Sequence, residues 1–379
     1  MSPLDTVVQF SFRLCGAHER CSYEDVGINR RPALPESRSM THLGVLTAGG
    51  DCPGLNAAIR GVVARASAEG HFVSGIEDGW QGLMDGRVNP LGRDDVRGIL
   101  TRGGTILGTS RTDPYEHGDG LASLIPALEA KGIDSVVVIG GDGSLRTAAR
   151  LGEEGLPVVG VPKTIDNDIE GTDVSFGFDT AVHIVTDAID RLTTTAEAHN
   201  RIMVVEVMGR QSGWIAVHAG LAGGAEAILV PEKEYDLVDL ARRLVARNRS
   251  GRAYSIVIVA EGVPGPSGDL VTMGIDHAGF ERLGGVSGTI AAELEARTGF
   301  ETRLMILGHL QRGGTPTAFD RVLATRMGIR AAEAGIDGDH GTMVACVGTE
   351  MVLVPLSSAV ALPRQVPAKR LAELDWFMA

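Results

Sequence analysis

Val161-Pro162-Lys163-Thr164-Ile165-Asp166-Asn167-Asp168 gathers two carboxylates, a hydroxyl and a cation directly after the apolar run Pro157-Val158-Val159-Gly160. The run reads as a buried strand, and the polar residues as the loop at its C-terminal end, where open α/β sheets place their ligands. Asp166 and Asp168 stand two apart, so one can take a proton while the other orients an arginine or a metal ion. An Asx-turn cluster would use the same side chains for local hydrogen bonds alone.

Two strand-to-glycine junctions precede this loop. Gly49-Gly50-Asp51-Cys52-Pro53-Gly54 joins a strand to a helix, where backbone N–H groups and the positive end of the helix dipole attract anions. It lacks the Lys-Ser or Lys-Thr ending of a P-loop, and a tight βα turn accounts for it equally well. Gly140-Gly141-Asp142-Gly143-Ser144 repeats the arrangement with a carboxylate among the glycines. Glycine lets a polyphosphate approach the backbone, and Asp142 can hold Mg2+ directly or through water. The bland alternative is a turn with Asp142 as helix cap. Arg146 stands where a dinucleotide fingerprint needs its third glycine. Together the three loops point to phosphoryl transfer, which needs a base for the attacking hydroxyl and donors or metal to spread the transferred charge.

The cations for such a site are Arg111, Arg201, Arg210, Arg303 and Arg312. Arg111 follows Gly103-Gly104-Thr105, and Arg210 and Arg312 fall in loops after strand or glycine signals. Arg201 and Arg303 stand near strand starts. Bidentate guanidinium contacts are the expected way to hold phosphate, although a surface salt bridge would explain any one of these arginines. His309 lies in Gly308-His309-Leu310-Gln311-Arg312-Gly313-Gly314, a setting that favours binding over a core role.

These loops need strands and helices to carry them. Leu43–Thr47, Ser135–Ile139 and Pro157–Val161 read as strands. A helix follows the first, with Leu55, Ile59, Val62 and Ala66 on one face and Gly70 past its end. Beyond Gly177 a helix carries Ala181, Ile184, Val185, Ala188, Ile189 and Leu192 at helical spacing. Strands Ile202–Val207, Ala227–Val230, Ser255–Ala260 and Leu304–Leu307 alternate with helices near 236–247 and 286–297. A long helix over 316–334 and a last strand near 342–347 close the series. Such alternation predicts an α/β fold with mostly parallel sheets covered on both faces, and the second series predicts a second domain. Residues 1–40 show no sustained periodicity and read as a poorly ordered extension, with Met40 immediately before the first convincing strand.

Composition narrows the partners. The 379 residues carry a net charge of −13, with 44% apolar, 22% charged and 4% aromatic residues. That balance argues against nucleic acid and anionic membrane surfaces, and it leaves phosphate attraction to a few local cations. No apolar run reaches the roughly 20 residues of a membrane span, and no signal-peptide order opens the chain. The 51 glycines exceed the roughly 7% of average usage, without collagen period or low-complexity tract, so they serve turns and close approaches. Cys15, Cys21, Cys52 and Cys346 lack zinc or redox spacing, which fits reduced thiols in a cytoplasmic protein.

Taken together, these residues resemble the 6-phosphofructokinase family. The resemblance runs from about residue 42 to at least 335 through Gly49–Gly54, Gly103–Arg111, Gly140–Ser144, Pro162–Asp168, Met208-Gly209-Arg210, Ala260-Glu261-Gly262 and Gly308–Gly314. It implies two Rossmann-like three-layer αβα domains. The larger, donor-binding one takes residues 41–177 plus 312–360; the smaller, sugar-phosphate-binding one takes 178–311 plus 361–379. It implies transfer of a phosphoryl group from ATP, with Mg2+, to the 1-hydroxyl of fructose 6-phosphate, in a homotetramer or homodimer with shared active sites.

The resemblance also assigns roles. Asp166 is the implied base, supported by Thr164 and Asp168, and Asp142 positions Mg2+. Gly50, Gly141, Gly143, Ser144 and Lys163 line the donor, and Arg111 and Arg210 stabilise the moving phosphoryl. Met208, Gly209, Glu261, His309 and Arg312 hold the sugar phosphate, with Arg201 and Arg303 reaching it from a neighbouring subunit. Gly143 is typical of ATP users and Lys163 of pyrophosphate users, so the donor residues are a hybrid. The absence of the excluding Asp at 143 favours ATP, with pyrophosphate as the alternative. Arg60 and Arg93 match the nucleotide-effector site of allosteric relatives, but Ala64 and Thr193 replace its arginines. Thr147 replaces a glycine near the adenine of some relatives. A kinase for another substrate and a catalytically silent sugar-phosphate-binding subunit are the competing readings. The first lacks precedent for both the Thr164–Asp168 and Gly308–Gly314 loops; an intact Asp166, Asp142 and Arg210 argue against the second.

Overall fold

In the computed structural model, which describes residues 40–266, 268–275 and 281–377, the valine-rich runs are strands stacked side by side. The first six are β1 (His42–Ala48), β2 (Phe72–Ile76), β3 (Val88–Pro90), β4 (Ser135–Gly140), β5 (Val158–Thr164) and β6 (Phe176–Gly177). Then come β7 (Ile202–Val207), β8 (Ala227–Leu229), β9 (Ser255–Ala260), β10 (Thr272–Ile275), β11 (Glu281–Leu283) and β12 (Thr302–Ile306). β13 (Thr342–Val347) and β14 (Glu350–Pro355) are the last. The larger sheet has the order β14-β13-β5-β4-β1-β2-β3 with β6 paired to β5, and the smaller has the order β12-β7-β9-β8. Its two outermost strands, β3 and β14, are antiparallel to their neighbours; the other pairs of the larger sheet and every pair of the smaller are parallel. β10 and β11 make a separate antiparallel ribbon.

Side chains of a strand alternate between faces, and the larger sheet buries both. Val137 and Ile139 of β4 join the core that contains Leu55 and Ile59 of the helix Leu55–Ala68. Val136 and Val138 join the opposite core, with Leu145, Ala148 and Leu151 of the helix Asp142–Glu153. β5 keeps the same parity: Val159 and Val161 face the first core, Val158 the second. Lys163 continues the odd series, which explains why a lysine is only 3% exposed. Behind it the helices Leu55–Ala68 and Ala318–Asp337 pack so closely that a Cβ on Gly328 would stand 2.2 Å from the Ala58 carbonyl oxygen.

A reciprocal polar clasp joins two helix N-termini. Thr180, at the start of the helix Phe178–His199, donates its N–H and Oγ1–H to Asp320 Oδ2 at 2.8 and 2.5 Å. Thr317 donates its N–H to Thr180 Oγ1 at 3.1 Å and its hydroxyl to Asp179 at 2.5 Å, and caps the helix Ala318–Asp337. Burial pushes the Asp320 carboxyl up to about 6 despite these donors.

Several boundaries differ from the sequence reading. Pro162, Lys163 and Thr164 belong to β5 rather than to a loop, because pairing with β4 and β6 continues through Thr164. Asp142 opens the helix that was expected only after Ser144, so Gly143 and Ser144 are its first turn. The strand at 342–347 is not the last, since β14 folds back on it. The helix Trp214–Ala222 is buried on most sides and has no apolar stripe to betray it. The expected extension, apart from Met40, lies outside the described residues, as do Cys15 and Cys21. Cys52 and Cys346 are free and buried. Among the described residues no helix is long and apolar enough to cross a membrane.

Candidate active site

The segment after β5 is held by its backbone, and one oxygen of each of its carboxylates has no partner. Asp166 N–H donates to Thr164 Oγ1 at 3.0 Å, and Ser212 Oγ donates to the Asp166 carbonyl at 3.2 Å. Asn167 adopts φ 53°, in the left-handed region, and its Oδ1 accepts from Ser175 N–H at 3.0 Å. Asp166 and Asp168 are 3% and 8% exposed, and the Oδ1 atom of each is buried with no hydrogen-bond partner. Burial raises the Asp166 carboxyl, opposed by the charges of Arg312, Arg210 and Lys163 and by a hydrogen bond from Thr164. Burial also pushes Asp168 up to about 7, helped by the negative charges of Asp166 and Asp142. A carboxylate of raised pKa among cations suits a base that works near neutrality.

Among the glycine loops, Lys163 Nζ donates to the Gly50 carbonyl. Burial lowers the Lys163 ammonium to about 8. It lies beneath both glycine loops: Cβ atoms built on Gly49 and Gly141 would stand 3.7 and 3.9 Å from its Nζ. Gly143 is exposed, and a Cβ there would meet nothing within 4 Å. Ser144 Oγ would stand 2.9 Å from a Cβ on Gly49, so it too borders both loops. The third loop is tied on through Gly49 N–H to the Ser110 carbonyl at 2.8 Å and Thr109 Oγ1 to the Gly49 carbonyl at 2.7 Å. Arg111 follows, exposed. Asp142 accepts from Arg146 Nη2 at 2.9 and 2.8 Å.

The smaller sheet brings the other wall. After β7, Arg210 takes φ 52° and its N–H donates to Glu261 Oε1 at 3.1 Å. Gly262 must be glycine here, since its Cβ would fall 1.8 Å from the Arg210 carbonyl oxygen. Burial pushes the Glu261 carboxyl up to about 7, helped by the charge of Asp166. Met208 N–H donates to Gln311 Oε1 at 3.2 Å, and Gly209 at φ 146° makes the turn between them. His309 and Arg312 occupy one 3-10 turn, Gly308–Arg312. His309 is exposed, whereas Arg312 Nη1 crosses to the Asp51 carbonyl at 3.2 Å. Arg312 thus touches the Gly49–Gly54 loop as well as lying in the field of Asp166.

Arg201 and Arg303 are not brought to this place. They sit at the opposite ends of β7 and β12, both bound to Glu301. A strand of this length separates them from Arg210 by roughly 20 Å.

Magnesium fits the acidic side chains. Asp168 lies within the field of both Asp166 and Asp142, Asp166 and Asp168 keep unpartnered oxygens, and those of Asp142 are held by the exposed Arg146. Among the described residues no three acidic, His or Cys side chains close into a cage. The ion would therefore keep waters or donor phosphate oxygens in its shell, as Mg2+ usually does.

Sequence reasoning missed Gln311, Ser212, Ser175 and Arg364 as supports of the site. Gln311 lies inside the Gly308–Gly314 loop but is overshadowed by His309 and Arg312, and Ser175, Ser212 and Arg364 stand outside any motif, where a single sequence carries no signal.

Two parallel-rich α/β sheets meeting at a buried carboxylate, with glycine loops at helix N-termini, define an α/β phosphotransferase. Comparison with known proteins agrees: the model for the phosphofructokinase family matches residues 42–335. The chain belongs to the phosphofructokinase family. It is 53% identical, over 88% of its length and 99% of the relative's, to a pyrophosphate-fructose 6-phosphate 1-phosphotransferase of Amycolatopsis methanolica. It is 51% identical, over 88% of its length and 98% of the relative's, to ATP-dependent 6-phosphofructokinase 3 of Streptomyces coelicolor. Among solved structures it resembles Pichia pastoris phosphofructokinase in the T-state, with TM-score 0.77 and 33% identity over 86% of this chain. It spans only 36% of that longer chain.

Proposed function

We propose that the protein transfers the terminal phosphoryl group of MgATP to the 1-hydroxyl of fructose 6-phosphate, giving fructose 1,6-bisphosphate and ADP. The observation that carries this reading is the buried Asp166 carboxyl, with one oxygen left without a hydrogen-bond partner, within the field of Arg312, Arg210 and Lys163. Asp166 takes the hydroxyl proton as the sugar oxygen bonds to phosphorus. The bond from phosphorus to the donor's bridging oxygen breaks, and ADP leaves with that electron pair. Arg111 and Arg210 stabilise the charge on the group in flight. Gly50, Gly141 and Ser144 receive donor phosphates at the loop backbone. Asp142, with Asp168 beside it, would hold Mg2+, which when bound supplies charge neutralisation at the phosphates.

Met208, Gly209, Glu261, His309 and Arg312 hold the sugar phosphate. On this reading residues 41–177 plus 312–360 form the donor part, and 178–311 plus 361–379 the sugar part. Arg201 and Arg303 then serve a neighbouring subunit's site, a role supported by their place at the opposite end of the strands from Arg210 in the same chain. A homotetramer or homodimer would supply that neighbour.

ATP as donor is supported by the open space at Gly143, where a nucleotide's inner phosphate needs room. A second reading, pyrophosphate as donor, is favoured by Lys163, whose ammonium lies under both phosphate loops. Relatives carry both names at similar identity. Incubation with fructose 6-phosphate, Mg2+ and either donor decides between them. Turnover with pyrophosphate alone would overturn the ATP reading; turnover with neither would overturn the reaction.

A further inference from the structure

Three successive carbonyls of the catalytic segment are held from outside it. Ser212 Oγ takes that of Asp166 at 3.2 Å, Arg364 Nη1 that of Asn167 at 3.4 Å, and Arg364 N–H that of Asp168 at 2.8 Å. The same Nη1 reaches the Asp173 carbonyl at 2.9 Å, so one guanidinium bridges both ends of the loop 167–173.

Arg364 is itself fixed. Its Cζ lies 4.3 Å from the centroid of the Trp214 ring, and Trp214 Nε1 donates to the Arg364 carbonyl at 3.3 Å. Two residues on, Val366 N–H donates to Glu232 Oε1 at 3.0 Å, the atom that also accepts from Gly213 N–H at 2.9 Å. Ile169 pairs with Pro363 by an isolated antiparallel bridge. The segment 363–366 therefore straps the catalytic loop to the N-terminus of the helix Trp214–Ala222. It lies beyond the residues matched by the family model.

The strap adds to what holds the loop. Asn167 has φ 53° without being glycine, a conformation that asparagine adopts more readily than most residues but at a cost of about 1 kcal/mol, so contacts on its peptide help to fix it. The Asn167 peptide links the two carboxylates, so its rotation moves both.

We infer that Arg364 is a positioning residue for phosphoryl transfer: its guanidinium, seated on Trp214, locks the Asn167 peptide and thereby aims Asp166 and Asp168. This rests on the reading of Asp166 as base. The largest charge effects come from Arg312, Arg210 and Lys163 on Asp166 and from Asp166 and Asp142 on Asp168, so Arg364 acts through the backbone rather than through its field.

Arg364→Ala keeps the backbone N–H bond to Asp168 and removes only the guanidinium. A misplacement of about 1 Å costs on the order of 100-fold in rate. Arg364→Ala should lower kcat by about 10- to 100-fold, with KM for sugar phosphate and donor changed less than about threefold. Millimolar methylguanidinium should restore part of kcat, and Arg364→Lys, which keeps a cation over the ring, should fall between the two. Unchanged kcat would overturn the inference. So would a loss confined to KM, or a kcat loss that methylguanidinium and Lys leave untouched while Tm falls below the assay temperature. Asp166→Ala separates the two claims: if it retains turnover, the base assignment fails, whereas an inactive Asp166→Ala beside a fully active Arg364→Ala sinks the strap alone.

Discussion

Gly143→Asp separates the demands of the fold from those of the donor. Gly143 is the second residue of the helix Asp142–Glu153, is exposed, and offers open space to a side chain. A carboxylate in the first turn gains about 0.3–1 kcal/mol from the helix dipole, and replacing glycine adds about 0.5 kcal/mol of helix propensity. The fold should be slightly stabilised, by about 2 °C in Tm. The donor should not be. Two unit charges about 4 Å apart repel by about 4 kcal/mol at an effective dielectric of about 20. If solvent screens half of that, about 2 kcal/mol remains, or roughly 30-fold in kcat/KM for ATP. Gly143→Ala, small and neutral, should cost less than about threefold on the same argument. ADP release followed at varied ATP, with Tm measured on the same preparations, reads both effects. Unchanged ATP kinetics in a stabilised Gly143→Asp protein would mean that Gly143 is not beside the donor phosphates.

Other substitutions test the remaining parts. Lys163→Gly should reduce any pyrophosphate-supported turnover at least about tenfold, since a charge-assisted contact is lost, and affect ATP less; equal losses would refute a donor-selective lysine. Asp168 and Glu261 are both pushed up to about 7, so the folded chain holds protons there that the unfolded chain releases near pH 4. The stability this confers is present at low pH and lost as pH rises through about 7. Asp168→Asn and Glu261→Gln should therefore raise Tm at pH 8 by about 2 °C or more and give no gain at pH 4, while turnover falls. Calorimetry showing the same difference at both pH values would contradict the burial argument. Arg303→Ala and Asp166→Ala proteins, each nearly inactive, should regain activity when unfolded and refolded together, if Arg303 serves a neighbour's site; mixtures as inactive as their parents would exclude shared sites.

Much of this was legible in the sequence for physical reasons. β4 and β9 are continuous apolar runs because parallel strands are buried on both faces, and so they stand out without alternation. Asp166, Arg210 and Glu261 follow such runs, at the sheet ends where ligands gather. The errors fall where composition disguises conformation. Pro162 and the polar pair Lys163-Thr164 look like a loop, yet hydrogen bonding to β4 and β6 keeps them extended. The helix Trp214–Ala222 is apolar on nearly all sides, so it lacks the period that marks a surface helix. Arg364 lies in a proline-flanked stretch with no pattern of its own; only folding carries it to Asn167, far away in sequence.

Because β5 runs through Thr164, Lys163 and Thr164 take opposite faces of one strand: the ammonium goes to Gly50, and the hydroxyl receives the Asp166 N–H. The two assignments are thus wired to consecutive residues but do not share space. If Lys163 selects the donor and Asp166 is the base, a lineage could exchange the lysine, and with it the phosphate source, by a single codon change while the base stays in place. A one-residue insertion or deletion in the same strand would do the reverse, turning every later side chain to the wrong face. Such a site would tolerate exchange of its lysine far more readily than any slip in its register.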